Sequence, residues 1–333
     1  SRWLLRVYYI LKHKDHTYLG RALSACATQS TAELFSQLAT QIFDEQFDEA
    51  TLLQRQCVLC EASKHHVQIT EQAEQKIQTK LISLAENPEI GYDGALKYVT
   101  TLTSSERYLL IEWLGLQKIE RESVKELFPE LYYYTAPLNL GLDEENIWIN
   151  TYFDAYRQSK ISNSITAQLS QIIKKKNASV SSFELWVNSF KTVKTLLYGR
   201  TDIDVFYWID GLGIDWIPFI THVIEQRKVD GVYLNEIHIG TAQLPTTTSI
   251  NKNKLEELAS DALHKIGDID AYAHTAKCFP NYIVEEMVKV KEAIESVLAQ
   301  YNGKKIAFVS DHGISYLAQY GAGLNLAGIH AEH

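Results

Sequence analysis

The stretch Lys304–Leu326, KKIAFVSDHGISYLAQYGAGLNL, decides how the second half of this chain is read. Ile306 to Ser310 are short, apolar and partly β-branched, the pattern of a buried strand. The chain then sets Asp311 beside His312 and follows them at once with Gly313. Burying an unpaired carboxylate costs roughly several kcal/mol or more, so a charge at a strand end calls for a partner.

Working outward, the same grammar recurs upstream. DVFYWIDGLG, 204–213, is a strand running into a glycine turn, with Asp210 at its end and Gly211 after it. GIDWIPFITHVIEQRK is an amphipathic segment, and DGVYLNEIHIG, 230–240, alternates in part and predicts a second strand. NKNKLEELASDALHKIG and NYIVEEMVKVKEAIESVLAQYNG predict helices, the latter long enough to cross a sheet. Strands alternating with crossover helices imply an α/β domain with a mainly parallel sheet flanked by helices. Ligands of such sheets collect outside the carboxyl ends of the strands.

Before Gly199 the pattern is helical throughout. TLTSSERYLLIEWLGL offers Ser104 or Ser105 as a cap and then Leu109, Leu110, Trp113 and Leu114 on one face. GLDEENIWINTYFDAYRQ starts with acids and spaces Ile147, Ile149, Tyr152 and Tyr156 helically, and SSFELWVNSFKTVKTLLYG stops at Gly199. The expected organisation is an all-helical domain over 1–198 and an α/β domain over 199–333.

Bulk properties fit a globular protein of two domains. The chain has 333 residues, 46% of them hydrophobic and 22% charged, which is globular composition. A formal net charge of -9, with no basic run beyond Lys174–Lys176, gives no overall attraction for nucleic acid. Four cysteines do not make a disulfide framework, and a reducing, cytoplasmic setting is expected. The opening SRWLLRVYYILKHKD is too short and too interrupted by Arg6 to span a bilayer, so no membrane partner is expected. The absent start methionine points to a processed chain or a fragment.

Chemistry-bearing residues gather near the strand ends. Asp210 and the Asp311–His312 pair each precede a glycine that lets the backbone turn sharply. Asp270 and His274 in DIDAYAH share a face if that piece is helical, a spacing suited to one metal ion. His330 and His333 close the chain. Taken singly, Asp210 reads as a turn residue and Asp270 with His274 as a solvated helix face. Together they form an Asp/His set without thiolates, which suits zinc or manganese. LPTTTSINK, 244–252, brings Thr246, Thr247, Thr248 and Ser249 to a helix start, where hydroxyls cap and free N–H groups bind phosphate. A hydroxyl there becomes a nucleophile once a metal or a base lowers its pKa. Cys57-x-x-Cys60 with His65 and His66 is a lone CxxC on a helical segment and reads as structural. The two glycines of DGLGID lack the rest of a dinucleotide fingerprint, and G-x-S-x-G, HExxH and Walker A sequences are absent.

WIDGLG, LPTTTSINK, DIDAYAH and FVSDHG, in that order, resemble the PglZ domain of the alkaline phosphatase superfamily, found in bacteriophage-exclusion (BREX) defence systems and some bacterial signalling proteins. The resemblance covers roughly 202–333 and leaves the helical half unmatched. It implies an alkaline-phosphatase-like fold and a metal-dependent phosphatase or phosphodiesterase with two divalent metals, zinc first and manganese as the alternative. One metal would be held by Asp210, Thr248, Asp311 and His312, the other by Asp270, His274 and His333, with His330 as the fallback. Thr248, three residues after Pro245, would be the nucleophile, ahead of Thr246 and Thr247. The chain ends where the family continues to a final strand, an expectation of a longer polypeptide. Implied partners are a phosphate-ester substrate, nucleotides and nucleic acid among the candidates, and other defence-system proteins. The alternative expectation is a catalytically weak scaffold that joins a defence complex through its helical half.

Overall fold

The computed structural model describes residues 17–25, 30–178, 188–242, 250–251, 263–268, 272, 278–310 and 312–313. The chain divides into two compact units, Ser1–Tyr132 and Tyr133–His333. The change of sequence period at Gly199 and the break in packing at Tyr132 are thus different places. The helices between them belong with the α/β unit.

The first unit is helical among the described residues. It contains α1 (Tyr18–Ala25), α2 (Thr31–Thr40), α3 (Glu49–Lys64), α4 (Glu71–Glu86), α5 (Gly91–Leu96) and α6 (Ser104–Gly115). Leu38, Ile42, Leu59, Ile77, Leu81 and Leu110 form its buried core. The cap of α6 is Thr103, one residue before the expected Ser104. Its hydroxyl accepts from the Glu106 amide while Glu106 accepts from the Thr103 amide. Glu106 is buried because it also receives the Thr100 amide and hydroxyl, at 2.8 and 2.9 Å. A charge placed there is stable only with such donors around it.

In the second unit, α7 (Pro129–Tyr134) ends just past the division, and α8 (Trp148–Ile161), α9 (Ala167–Asn177) and α10 (Val193–Leu197) precede the sheet. The acids expected to open α8 stand before it instead. Asp143 accepts from the Asn146 amide in a turn, and the helix begins at Trp148. Three parallel strands follow, β1 (Val205–Asp210), β2 (Leu263–Asp268) and β3 (Ile306–Val309), in the order β2-β1-β3. Helix α11 (Ile217–Glu225) follows β1, and α12 (Asn281–Gln300) connects β2 to β3.

Alternation along β1 sorts its side chains between two layers. Phe206 and Trp208 pack with Val309 and with Val193 and Leu197 of α10. Val205 and Tyr207 face the other way, against Val297 of α12 and Tyr301. A sheet covered on both faces reads as a continuous apolar run, which is why VFYWI and IAFV were legible as strands. One covering helix, α10, lies before Gly199.

Two expected elements differ. The helix expected over 251–267 is at its end strand β2. Leu263 and Lys265 pair with Phe206 and Trp208, so tertiary pairing overrides the helical spacing of the leucines. The strand expected over 230–240 is not one. Among the described residues, Val232 to Ile239 run without ladder partners, and Thr241 makes an isolated bridge to Thr192. Alternation without a neighbouring strand does not make a sheet. Among the described residues, no helix is long and apolar enough to cross a membrane.

Candidate functional site

The strand order β2-β1-β3 fixes where a ligand crevice belongs. The connection from β1 leads to one side, and the connection from β2 crosses back over β1 to the other. The strand order therefore reverses between β1 and β3, and the carboxyl ends of that pair are where sheets of this kind bind ligands. Asp210 ends β1 there, and His312 follows β3 there.

Their side chains meet. His312 Nε2 lies 3.3 Å from Asp210 Oδ1, with the imidazole 9% and the carboxylate 4% exposed. The other ring nitrogen, Nδ1, lies 3.4 Å from the carbonyl oxygen of Gly313, and the Ser310 hydroxyl donates to the His312 carbonyl at 2.7 Å. With the proton on Nε2 the ring donates toward the carboxylate; with it on Nδ1, Nε2 and the carboxylate oxygen are two lone-pair donors side by side, a pair that a cation bridges.

Glycines permit the approach. Gly211 has φ +76°, which turns the chain sharply after Asp210. A Cβ on Gly313 would stand 3.0 Å from the Gly213 Cα, so the loops after β1 and β3 touch through backbone. A Cβ on Gly213 would meet Asp215 Oδ1 at 2.5 Å and the Gly313 Cα at 3.5 Å. Across the sheet, Asp268 at the end of β2 is the register partner of Asp210, past an irregularity between Trp208 and Asp210. Asp268 is an acidic position at this edge that the sequence reading passed over in favour of Asp270, because the stretch before it read as helix.

Of the expected site residues, Asp210 and His312 are brought together. Thr246, Thr247, Thr248, Asp270, His274, Asp311, His330 and His333 lie outside the described residues. Among the described residues, no group of three His, Cys, Asp or Glu side chains converges on one point. Cys60 donates to the Thr100 carbonyl at 2.8 Å, and the His65 side chain is exposed beside Glu61.

Behind the loop after β1 lies an ion cluster that the sequence reading missed. Asp215 is buried, and the Tyr134 hydroxyl donates to its Oδ2 at 3.2 Å. Lys160 of α8 reaches Asp215 Oδ2 at 3.9 Å and Glu286 Oε2 of α12 at 2.9 Å, and lies over the Trp216 ring. Arg157 faces the Asp215 carbonyl at 3.5 Å and donates to the Ala136 carbonyl at 2.7 Å. Burial pushes the Asp215 carboxyl up, against the pull of Lys160 and Arg157. Burial also opposes the charge on Lys160, but Glu286 foremost holds its pKa well above the ordinary lysine value. The available signal was Glu286 itself, which shares a helix face with Tyr282, Ile283, Met287 and Val290.

No protein-family model, curated protein or solved structure matches the chain.

Proposed function

We propose that the chain is a metal-dependent phosphoric ester hydrolase of the alkaline phosphatase type, resembling PglZ domains and acting in bacterial anti-phage defence. The observation that supports this reading is the meeting of Asp210 and His312 at the switch point of a parallel sheet. A carboxylate oxygen and an imidazole nitrogen held together and shielded from water are donors that suit a borderline divalent cation such as zinc, or manganese.

In this reading Asp210, Asp311 and His312, with Thr248, would hold one divalent ion, and Asp270, His274 and His333 would hold the other. When bound, such ions supply Lewis-acid stabilisation of charge on phosphoryl oxygens and lower the pKa of a coordinated hydroxyl. The protein's own part is positioning. Asp210 contributes negative charge fixed by β1, and His312 a nitrogen whose orientation is set by the loop after β3. The Thr248 hydroxyl would be the nucleophile: its oxygen bonds to phosphorus as the bond to the ester oxygen breaks, the hydroxyl proton ends on the departing alcohol, and water then cleaves the threonine–phosphate bond to release phosphate.

The test is metal analysis of the purified chain followed by assays on a generic phosphomonoester and phosphodiester. Thr248→Ala should abolish turnover while metal content and folding stay near the parent's, and Thr246→Ala should cost much less. Absence of both bound metal and turnover in the parent sinks the enzyme reading and leaves the scaffold.

A further inference from the structure

We infer that the buried cluster of Lys160, Asp215 and Glu286 is the positioning element of the Asp210–His312 crevice, so that helices α8 and α12 form part of the site's support. For its consequence in turnover the inference rests on the proposed hydrolase reading; for its structural content it does not.

The connection can be followed atom by atom. Asp215 Oδ1 occupies the space that a side chain on Gly213 would need, and the Gly213 backbone in turn abuts Gly313, the residue after His312. Asp215 is itself held from behind, by the Tyr134 hydroxyl at 3.2 Å and by Lys160 Nζ at 3.9 Å. Lys160 is anchored by Glu286 at 2.9 Å on the helix that connects β2 to β3. A run of contacts thus extends from α12 through Lys160 and Asp215 to the loop between Asp210 and α11. The loop's own backbone bonds are few. Leu212 N–H meets the Ile209 carbonyl at a long 3.4 Å, Trp216 N–H meets the Gly213 carbonyl at 3.2 Å, and Ile217 N–H to the Ile214 carbonyl closes a 3-10 turn over Ile214–Trp216. The side-chain cluster holds this turn from behind, at Asp215 and under Trp216. Supports of this kind behind a ligand-bearing loop hold the ligands in register.

The cluster's location distinguishes it from ordinary core. Apolar packing would fill the same volume with less desolvation cost, since buried ion pairs add little net stability. The directional contacts of Asp215, by contrast, fix one loop conformation.

The experiment uses the full chain and three variants, Asp215→Asn, Lys160→Met and, as the conservative substitution, Lys160→Arg. Hydrogen exchange reads the Leu212 and Trp216 amides against those of Val205–Ile209 in β1 and of α12. The expected result for Asp215→Asn is faster exchange at Leu212 and Trp216 by about tenfold or more, with β1 and α12 unchanged; tenfold corresponds to about 1.4 kcal/mol. Lys160→Met should speed the Leu212 and Trp216 amides by more than the general rise that its loss of stability brings to β1 and α12, and Lys160→Arg should restore part of the protection. Unchanged exchange at the two loop amides, or an equal rise through β1 and α12, overturns the inference. A second readout is affinity for Zn²⁺ or Mn²⁺ added alone, expected to fall about 10- to 100-fold in Asp215→Asn, as when a group orienting a metal ligand is lost. If the parent binds metal and Asp215→Asn binds it equally well, the inference fails and the hydrolase reading stands. If the parent binds none, the hydrolase reading falls and the exchange result still decides the positioning role.

Discussion

His312 Nε2 and Asp210 Oδ1 face each other at 3.3 Å, from two parallel strands far apart in the chain and adjacent in the sheet. The pairing of Tyr207 with Phe308 and of Trp208 with Val309 brings the two strand ends level, and the side chains beyond them meet. Both are largely shielded from water, so removing either leaves the other in a place built for two. Asp210→Asn and His312→Ala should each lower bound metal and reduce phosphate-ester turnover by more than about 100-fold, the upper range for loss of a merely supporting group. Metal analysis and turnover on the same preparations check this. Variants that keep full metal content and parent turnover would remove both residues from the site.

The contact between Gly213 and Gly313 leaves no room for a side chain. A methyl on Gly313 would stand 3.0 Å from the Gly213 Cα, and a backbone atom, unlike a side-chain tip, cannot rotate away. Gly313→Ala should therefore cost about 1–3 kcal/mol, as overpacking does. In a unit of this size that is a fall in melting temperature of about 2–4 °C per kcal/mol. The same substitution should loosen metal binding, because the displaced loop carries His312. An unchanged melting curve with unchanged metal affinity would show that the two loops do not touch in solution.

The sheet was legible where burial on both faces wrote apolar runs into the sequence. VFYWID and IAFV were read as β1 and β3, and their glycine-terminated ends led directly to Asp210 and His312. Strand β2 was not legible. LHKIGD carries few β-formers, and its pairing with Phe206–Trp208 decides its form. The converse error, at Val232–Ile239, has the same origin, since a strand needs a neighbour and alternation cannot report one. The Lys160 cluster was hidden for another reason. Its members come from α7, α8, the turn at Asp215 and α12, and apart from Glu286, which sits on an apolar helix face, none carries a sequence sign of its burial.

Cys60 offers a test that needs no activity. Its thiol donates to the Thr100 carbonyl at 2.8 Å, and burial pushes its pKa up from 9.0 to about 11. The thiolate is the reactive species, so at pH 8 an alkylating reagent should modify exposed Cys57 and Cys278 in the native chain well before Cys60. Cys60 should react only on unfolding. Because the native thiol keeps its proton where the unfolded thiol has lost it, this group's effect on stability is a decrease as pH rises from about 9 to about 11. Cys60→Ser should flatten that part of the profile. Mass spectrometry after brief alkylation settles the first point, and rapid native labelling of Cys60 would contradict the burial described.

The Lys160–Glu286 pair, buried at about 1% side-chain exposure on each partner, is tested by removing its members singly and together. Lys160→Met leaves two carboxylates, Glu286 and Asp215, without their ammonium neighbour in a dry site. Breaking a buried pair in this way costs about 3–5 kcal/mol. Glu286→Leu instead leaves Lys160 with Asp215, Trp216 and Tyr134 around it, and should cost less, because Asp215 is close enough to take over as counter-charge. In Lys160→Met/Glu286→Leu the isolated Glu286 charge is gone, and Asp215 keeps Tyr134 and Arg157. The double variant should therefore be more stable than Lys160→Met alone, with a coupling of about 0.5–3 kcal/mol in the double-mutant cycle. Denaturant unfolding, followed by hydrogen exchange in β1 and α12 so that the second unit is read separately, supplies the four stabilities. Strict additivity of the two substitutions would mean that the pair carries no mutual energy, and that the 2.9 Å approach is a consequence of the surrounding packing rather than one of its causes.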